Sequence, residues 1–299
     1  MCSMPTGKEK LKLLITGASG QLGSELKELL LGKDDFECFF LDRQALPLQH
    51  TAIIQDVLGM YQPDVIIHTA AYTAVDKAES EAHLADQVNH LASEEIAQYC
   101  RLHGAKLIAI STDYVFDGTS SRPLGEDAVV APLNVYGLSK LKGEQAIQKW
   151  APDSIIIRTS WVYSAYGNNF VKTMIKLMNA RDELSVVNDQ VGSPTYAKDL
   201  AQAILHIVQS AKWEPGVYHY SNEGEASWYD FAVAIRDIAG LSCTIRGVRT
   251  AEYPTVAKRP AYSLLDKTKI KTVYGVAVPP WGSSLERMLK KHEVSQSVF

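Results

Sequence analysis

The chain has 299 residues, and its 30 lysines and arginines against 34 aspartates and glutamates give a formal net charge of −4. At about 150 residues per domain, this length predicts two domains or one large unit with an appendage. A hydrophobic content of 46% and a charged content of 21% are ordinary for a folded protein, so they exclude disorder as the main state and collagen-like or coiled-coil designs.

Charge and cysteine usage narrow the partners and the compartment. A mildly acidic chain lacks the basic face that a phosphate backbone attracts, so we expect no nucleic-acid partner. The cysteines are far apart and form no CxxC pair, which predicts reduced thiols rather than a zinc site or a disulfide framework (Cys2, Cys38, Cys100 and Cys243). No secretion signal is evident and no stretch approaches 18 apolar residues, so we expect a cytoplasmic protein with no membrane contact.

Short apolar runs alternate with segments of helical spacing through the first half of the chain. The predicted strands are 11–16, 38–41, 65–68, 106–111 and 155–158, and the predicted helices between them are 21–31, 51–61, 83–103 and 135–149. Continuous apolar strands that alternate with helices predict a parallel sheet covered on both faces. We therefore expect an α/β fold with a Rossmann-type, doubly wound parallel sheet.

The pattern is looser after residue 158, where prolines and aromatic residues are frequent. Helices are predicted over 169–180, 197–211 and 228–239, and strands over 184–187 and 217–220. We interpret this half as a smaller, partly interleaved α/β substrate domain. The predicted division assigns 10–158 and 195–222 to the Rossmann domain, and 159–194 and 223–299 to the substrate domain.

A glycine-rich turn joins the first predicted strand to the first predicted helix. Its sequence is Thr16-Gly17-Ala18-Ser19-Gly20-Gln21-Leu22-Gly23. Without Cβ atoms the backbone can approach a pyrophosphate, and the helix N-terminus supplies free N–H groups and a positive dipole end. An ordinary turn would also fit three glycines, but the strand, the helix and an acidic residue after the second strand together favour dinucleotide binding.

Two residues after the second strand bear on the choice of dinucleotide. Asp42 occupies the place where a carboxylate usually binds the ribose hydroxyls and favours NAD. Arg43 beside it could instead bind the 2′-phosphate of NADP through its planar guanidinium. A surface Asp–Arg pair without a ligand is the alternative. We expect both cofactors to work, with NADPH modestly preferred over NADH.

A tyrosine and a lysine follow at helical spacing in Tyr136-Gly137-Leu138-Ser139-Lys140. Lys140 could hold a ribose while its charge lowers the pKa of Tyr136, whose phenol could protonate a carbonyl oxygen as hydride reaches the carbon. Thr112, at the carboxyl end of the fourth strand, could hydrogen-bond the same oxygen. Chance spacing of the pair and a capping role for Thr112 are the alternatives.

The glycine turn, Thr112, Tyr136 and Lys140 occur in the order and at the separations of the extended short-chain dehydrogenase/reductase family, which the chain resembles. Longer strings narrow the resemblance to members that use NADPH to reduce the C4 keto group of dTDP-4-dehydro-L-rhamnose, giving dTDP-L-rhamnose. These strings lie at 70–79, 111–118, 132–137, 158–163 and 189–195, and the resemblance spans about 11–289. It implies an NAD(P)H-dependent oxidoreductase.

The resemblance also implies a set of site residues. The catalytic residues would be Thr112, Tyr136 and Lys140. The cofactor site would comprise Gly17, Gly20, Gln21, Leu22, Ala70, Ala71, Tyr72, Tyr136 and Lys140, joined by Asp42 and Arg43. The substrate site would comprise Val75, Asp113, Tyr114, Trp161, Gln190 and Arg259, with a core position the alternative for Trp161. Asn89 matches a family asparagine that shapes the active site.

The sequence departs from the family pattern in two places. Leu46-Pro47-Leu48-Gln49 stands where relatives often carry an acidic string near the adenine, so the adenine contacts are left open. Some members form dimers joined by a metal between glutamates; Glu25 is retained here, but Lys198 and Lys291 take the other positions. An ammonium cannot bind Mg²⁺. We expect no structural metal, a nucleotide-sugar substrate, and a monomer or weak homodimer.

Two rival functions remain open at this point. A cofactor-binding regulatory subunit would keep the glycine turn, but the intact Thr112, Tyr136 and Lys140 argue against it. A nucleotide-sugar dehydratase or epimerase is the second rival. Family dehydratases usually carry Asp-Glu after the active threonine, whereas here Asp113 and Tyr114 follow it. Epimerases retain NAD tightly, so bound cofactor in purified protein would favour them.

Overall fold

The computed structural model describes residues 10–296, with side chains described through residue 291. The strands are β1 (Leu11–Thr16), β2 (Phe36–Leu41), β3 (Val65–His68), β4 (Lys106–Thr112), β5 (Ile155–Thr159), β6 (Val162–Tyr163), β7 (Glu183–Val187), β8 (Val191–Gly192), β9 (Thr195–Tyr196), β10 (Gly216–His219), β11 (Ala226–Ser227) and β12 (Thr244–Val248). The helices are α1 (Gln21–Leu30), α2 (Ile54–Tyr61), α3 (Val75–Ala78), α4 (Ala82–Asp86), α5 (Ala92–His103), α6 (Val135–Trp150), α7 (Phe170–Ala180), α8 (Ala197–Gln209), α9 (Trp228–Ile238), α10 (Thr268–Tyr274) and α11 (Trp281–Gln296).

The central sheet has six strands in the order β10-β5-β4-β3-β1-β2 within the described residues. All neighbouring strands run parallel. The strand order reverses at β1, because β2 lies on one side of it and β3 on the other. Such a switch point leaves a crevice at the carboxyl ends of the strands, where ligands of open α/β sheets bind. The predicted fold class, α/β with a doubly wound parallel sheet, is confirmed.

Helices cover both faces of this sheet. Successive residues of a strand point to opposite faces, and accordingly Leu14 belongs to one apolar cluster while Leu13 and Ile15 belong to another. The Leu14 cluster contains buried side chains of α2, α5 and α6, and the other cluster contains those of α1, α8 and α10. A third cluster, built from α7, α9, α11 and β7, provides a separate core for much of the later chain.

Two predicted helices differ from the structure in detail. The predicted helix 83–103 is interrupted by a π-helical turn, Gln87–Leu91, which separates α4 from α5. Such single turns occur frequently at functional sites. This one places the amide of Asn89 against the backbone of Tyr72, accepting from its N–H at 2.9 Å and donating to its C=O at 3.0 Å. The predicted helix 51–61 starts with a 3₁₀ turn, Thr51–Ile53, before α2.

Several elements in the second half have no counterpart in the prediction. The strands β6, β8, β9 and β11 have only two residues each, too few for a periodic pattern. They matter nevertheless, because β11 pairs with β8 and β6 pairs with β9, which fixes the loops beside the sheet. The helices α10 and α11 were also missed. No helix within residues 10–296 combines the length and the apolar content that crossing a membrane requires.

Candidate active site

A cavity of about 830 Å³ lies at the carboxyl ends of β1, β3, β4 and β5. Fifteen predicted site residues line it: Gly17, Gly20, Gln21, Leu22, Asp42, Arg43, Ala70, Ala71, Val75, Thr112, Asp113, Tyr114, Tyr136, Lys140 and Trp161. Leu46, Leu48 and Gln49, whose segment left the adenine contacts open, also line it. The cavity therefore lies at the crevice that the strand order creates.

The glycine turn has the geometry of a phosphate cradle. Gly17 has φ +68, and a Cβ there would lie 2.8 Å from the backbone of Ala70. A Cβ on Gly23 would lie 2.3 Å from the Gly17 carbonyl oxygen, so α1 packs too closely for a side chain. Gly20 caps α1 without a side-chain hydrogen bond, which leaves the first N–H groups of the helix facing the turn. These residues fit a dinucleotide pyrophosphate.

The Asp42 side chain is hydrogen-bonded to the backbone of the turn that follows it. Its Oδ1 accepts hydrogen bonds from the N–H groups of Gln44 at 2.9 Å and Ala45 at 3.0 Å. These backbone hydrogen bonds, first that of Ala45 and then that of Gln44, lower the pKa of Asp42. Arg43 is exposed and lines the cavity beside it. The carboxylate is thus held by the turn, while the guanidinium has access to a ligand.

Thr112, Tyr136 and Lys140 converge at the base of the cavity, and all three are buried. Asn134 caps α6 by accepting from the Gly137 N–H at 2.8 Å, which fixes the turn that carries Tyr136. The side chain of Thr112 accepts from the Tyr114 N–H at 3.2 Å. Lys140 Nζ donates to the Ile110 carbonyl oxygen at 2.7 Å, which ties α6 to β4.

The pKa of Tyr136 differs from the sequence-based expectation. Burial raises it to about 12, with the hydrogen bond to Thr112 lowering it and the Asp113 charge raising it further. Burial also lowers the pKa of Lys140 to about 8. The expected lowering of the Tyr136 pKa below its usual value is therefore wrong, because desolvation of the phenol dominates. A phenol with this pKa is protonated at neutral pH, as a general acid must be.

Asp113 is a buried carboxylate beside the catalytic threonine. Thr112 Oγ1 donates to Asp113 Oδ1 at 3.1 Å. Burial raises the pKa of Asp113 to about 6, and the hydroxyls of Ser263 and Thr112 offset only part of this increase. At neutral pH the site therefore holds a poorly solvated negative charge that faces the cavity.

Three predicted site residues lie outside the cavity lining. Tyr72 Oη donates to Glu81 at 2.5 Å, and Gln190 Nε2 donates to Thr250 Oγ1 at 3.0 Å. Arg259 forms a bidentate ion pair with Asp76: Nη2 donates to Oδ2 at 2.7 Å and Nη1 donates to Oδ1 at 3.1 Å. Their side chains are engaged by the protein, so their roles toward a ligand stay predictions.

The later half of the chain contributes lining residues that sequence reasoning missed: Ser160, Val162, Gly167, Asn168, Asn169, Leu200 and Trp228. Asn169 Nδ2 donates to Gln21 Oε1 at 3.0 Å, and Gln21 Nε2 donates to the Val162 carbonyl oxygen at 3.2 Å. The side chain of Gln21 therefore joins the glycine turn to this half. Asn169 also caps α7, a local signal that predicts a helix start but not this long-range contact.

Ser111 is a further lining residue missed from the sequence. Its Oγ is buried and has no hydrogen-bond partner within the described part of the chain. Buried hydroxyls are almost always hydrogen-bonded. The Ser111 hydroxyl is an exception, at a residue that lies beside Thr112 in the cavity wall.

Ammonium groups lie beside Glu25 and Glu28, where the resemblance suggested a metal in some members. Lys291 Nζ lies 3.1 Å from Glu25 Oε2 and 2.5 Å from Glu28 Oε2, and Lys198 Nζ lies 3.3 Å from Glu28 Oε1. Burial raises the pKa of Glu28, but hydrogen bonds with Lys291, Tyr166 and Lys198 outweigh it and lower the pKa to about 2. Two cations already balance these carboxylates, so the residues do not fit a divalent metal. The described residues contain no group of three or more potential metal ligands.

The sequence and the structure are both similar to those of known reductases. The chain is 42% identical over 289 residues to a dTDP-4-dehydrorhamnose reductase of Aggregatibacter actinomycetemcomitans, covering 93% of this chain and 98% of that protein. Its structure is similar to that of a Clostridium acetobutylicum dTDP-4-dehydrorhamnose reductase, with a TM-score of 0.91, 39% identity and coverage of 95% and 100%. The Bacillus anthracis reductase in complex with NADP gives a TM-score of 0.90 at 40% identity, with the same coverage.

The family model described as the RmlD substrate binding domain matches residues 11–294, nearly the whole chain. The narrower resemblance inferred from strings such as 111–118 and 189–195 is thereby confirmed. From the glycine turn, the buried Thr112, Tyr136 and Lys140, and this match, we conclude that the chain belongs to the RmlD substrate binding domain family.

Proposed function

We propose that this protein is an NADPH-dependent oxidoreductase that reduces the C4 keto group of dTDP-4-dehydro-L-rhamnose to give dTDP-L-rhamnose. The observation that carries the proposal is the meeting of Thr112, Tyr136 and Lys140 with the glycine turn in one cavity. The relatives above, named as reductases of this sugar nucleotide, supply the substrate class. The NADP in the Bacillus anthracis structure supports the cofactor.

The chain's own residues suit carbonyl reduction. NADPH, when bound, supplies the hydride that reaches the carbonyl carbon. Tyr136 donates its phenolic proton to the carbonyl oxygen, since its pKa of about 12 keeps it protonated at neutral pH. Thr112 would donate its hydroxyl proton to the same oxygen, in place of its present hydrogen bond to Asp113 Oδ1, and so stabilise the negative charge that develops there. Lys140, held at the Ile110 carbonyl, is positioned to bind a cofactor ribose.

The cofactor residues would act mainly through the backbone. The N–H groups at Gln21 and Leu22 would bind the pyrophosphate. Gly20, whose N–H donates to the Gly17 carbonyl oxygen at 2.9 Å, would let it approach the backbone, and Ala70 and Ala71 would line the other side. Arg43 would bind the 2′-phosphate of NADPH, because the Asp42 carboxylate is engaged by its own turn. This arrangement supports a preference for NADPH with NADH still accepted.

The substrate would occupy the rest of the cavity. Val75, Asp113, Tyr114 and Trp161 line that part and would contact the sugar nucleotide directly. Gln190 and Arg259 would support the substrate site, and Tyr72 the cofactor site, from behind the lining, where their side chains are held by Thr250, Asp76 and Glu81. We also propose that residues 10–158 and 195–222 form the cofactor domain and 159–194 and 223–299 the substrate domain. The separate apolar core of the later chain supports this division, except at α10, which lies within 223–299 but packs in the cluster of the central sheet.

We propose further that the protein works in the cytoplasm as a monomer or weak homodimer, without a structural metal, nucleic-acid or membrane partner. Cys38, Cys100 and Cys243 are unpaired thiols, which supports a reducing compartment. The ammonium groups beside Glu25 and Glu28 support metal independence.

The deciding experiment measures NADPH oxidation with dTDP-4-dehydro-L-rhamnose and identifies dTDP-L-rhamnose as the product. A matched reaction without the sugar nucleotide corrects for background oxidation. NADPH oxidation that depends on the sugar and yields this product supports the proposal. Binding of NADPH without turnover would support a regulatory subunit instead. Purified protein carrying tightly bound NAD, with an epimerised product, would support an epimerase.

A further inference from the structure

Two tryptophans form a stacked pair at the wall of the cavity. The ring centroids of Trp161 and Trp228 lie 3.7 Å apart with an interplanar angle of 11°. Both side chains are half-buried and both residues line the cavity. The resemblance implies a substrate contact for Trp161, whereas no motif points to Trp228, which lies 67 residues further along the chain.

The backbone of Trp161 has an unusual conformation. Its φ is +48, in the left-handed region that bulky residues rarely adopt. A side chain in such a conformation persists only where the surroundings hold it. Here the Trp161 carbonyl oxygen accepts from the Thr195 N–H at 3.2 Å. A Cβ on Gly192 would lie 3.1 Å from Cε2 and Cζ2 of the Trp161 indole, so the glycine leaves room for the ring edge.

Trp228 is itself held firmly from its backbone. It is the first residue of α9, whose capping box joins Ser227 and Asp230: Asp230 N–H donates to Ser227 Oγ at 3.1 Å, and Ser227 N–H donates to Asp230 Oδ2 at 2.9 Å. Strand β11, just before it, pairs with β8, which carries Gly192. The Phe170 ring packs on Trp228 at a centroid distance of 4.7 Å. The capping box of α9 and the pairing of β11 with β8 therefore position both the Trp228 indole and Gly192, which adjoins Trp161.

We propose that Trp228 is a positioning residue that holds the Trp161 indole in place, so that the two rings form a rigid apolar wall for the sugar of the substrate. This inference rests on the proposed function for the identity of the sugar. A 6-deoxy sugar presents a methyl group and C–H bonds, which suit a flat apolar surface. Stacking of two aromatic rings stabilises their arrangement beyond the effect of burying their surface. Loss of the Trp228 ring would therefore remove part of what holds the Trp161 indole in place.

The stack is tested first in the resting protein. Two indoles in contact give an exciton couplet in circular dichroism, which Trp161→Phe and Trp228→Phe should each abolish. Gly192→Ala should weaken it, because the added Cβ pushes on the Trp161 ring. Trp213→Phe is the matched control: Trp213 donates to the Asp153 carbonyl oxygen and does not line the cavity, so the couplet should survive. Absence of a couplet in the unmodified chain overturns the proposal.

The functional arm measures steady-state kinetics and NADPH binding. Trp228→Ala should raise the KM for the nucleotide sugar by about 2- to 10-fold, the effect of one aromatic pair, while the Kd of NADPH stays unchanged. Trp228→Phe should restore most of the loss. The change in KM should nearly vanish on a Trp161→Ala background, because the positioned ring is already absent.

The outcomes separate this inference from the proposed function. Equal effects of Trp228→Ala with and without Trp161 would show that Trp228 acts independently and would overturn the positioning role. An unchanged KM for Trp228→Ala, the variant that removes the ring entirely, would overturn it as well. If Trp228→Ala does not fold, Gly192→Ala carries the same comparison, with and without Trp161→Ala, because its Cβ displaces the Trp161 ring. A couplet in a protein that does not reduce the sugar would confirm the holding of Trp161 while overturning both the sugar contact and the proposed function.

Discussion

Replacement of Arg43 by alanine should weaken NADPH and spare NADH. Only NADPH carries the 2′-phosphate, and the exposed Arg43 guanidinium lines the cavity beside the turned-in Asp42. Two charge-assisted hydrogen bonds to phosphate would each contribute about 1.5–3 kcal/mol if shielded from water. Exposure to solvent reduces the free energy that each ion pair contributes to about 1 kcal/mol or less. We therefore expect a loss of roughly 1–2 kcal/mol, which raises the KM for NADPH about 5- to 30-fold.

Asp42 provides the matched companion variant. Asp42→Asn keeps an oxygen that can accept the Gln44 and Ala45 N–H groups, so the turn is preserved while the charge is removed. Removing one screened charge near the phosphate should lower the KM for NADPH by about twofold to fivefold, with little change for NADH. Arg43→Lys keeps the charge but loses the planar fork, and should fall between the wild type and Arg43→Ala.

The assay measures initial rates of NADPH and NADH oxidation at saturating nucleotide sugar, with Kd values from nucleotide fluorescence as an independent readout. If Arg43→Ala weakened both cofactors equally, Arg43 would pack on the adenine or support the fold. The assignment to the 2′-phosphate would then be wrong.

Three further predictions test other parts of the site. Tyr136→Phe should lower turnover by about 10²- to 10⁴-fold with an unchanged Kd for NADPH, and wild-type turnover would remove Tyr136 from the mechanism. Asp113→Asn should lower turnover and raise the Tm at pH 8 by about 2–4 °C. The substitution removes a buried charge and buries an amide in its place, so the free energy of unfolding should rise by about 1 kcal/mol. Since the pKa of Asp113 is raised to about 6 in the folded state, this gain should shrink as the pH falls below 6, and a Tm difference that does not depend on pH would contradict the assignment. EDTA should change neither activity nor oligomeric state by light scattering, because ammonium groups balance Glu25 and Glu28; a chelator-sensitive dimer would refute this.

The local signals in the sequence were sufficient for the sheet and for the catalytic helix. Apolar runs such as 65–68 and 155–158 predicted buried parallel strands, because residues with both faces covered show no polar alternation. The turn at Gly17 and the pair Tyr136 and Lys140 could be placed because each signal lies within a few residues. Since the carboxyl ends of parallel strands meet at one edge, Thr112 could be assigned to the same site.

Tertiary structure decided how these residues are used. Burial, a property of the packed chain, raised the pKa of Tyr136 where a neighbouring lysine predicted a lower one. Trp228 meets Trp161, and Lys291 meets Glu25 across 266 positions of sequence. No periodicity records such pairs, because they arise from the docking of elements that are remote in the chain. The sequence by itself therefore determined which elements and catalytic groups are present, whereas packing determined their charges, orientations and partners.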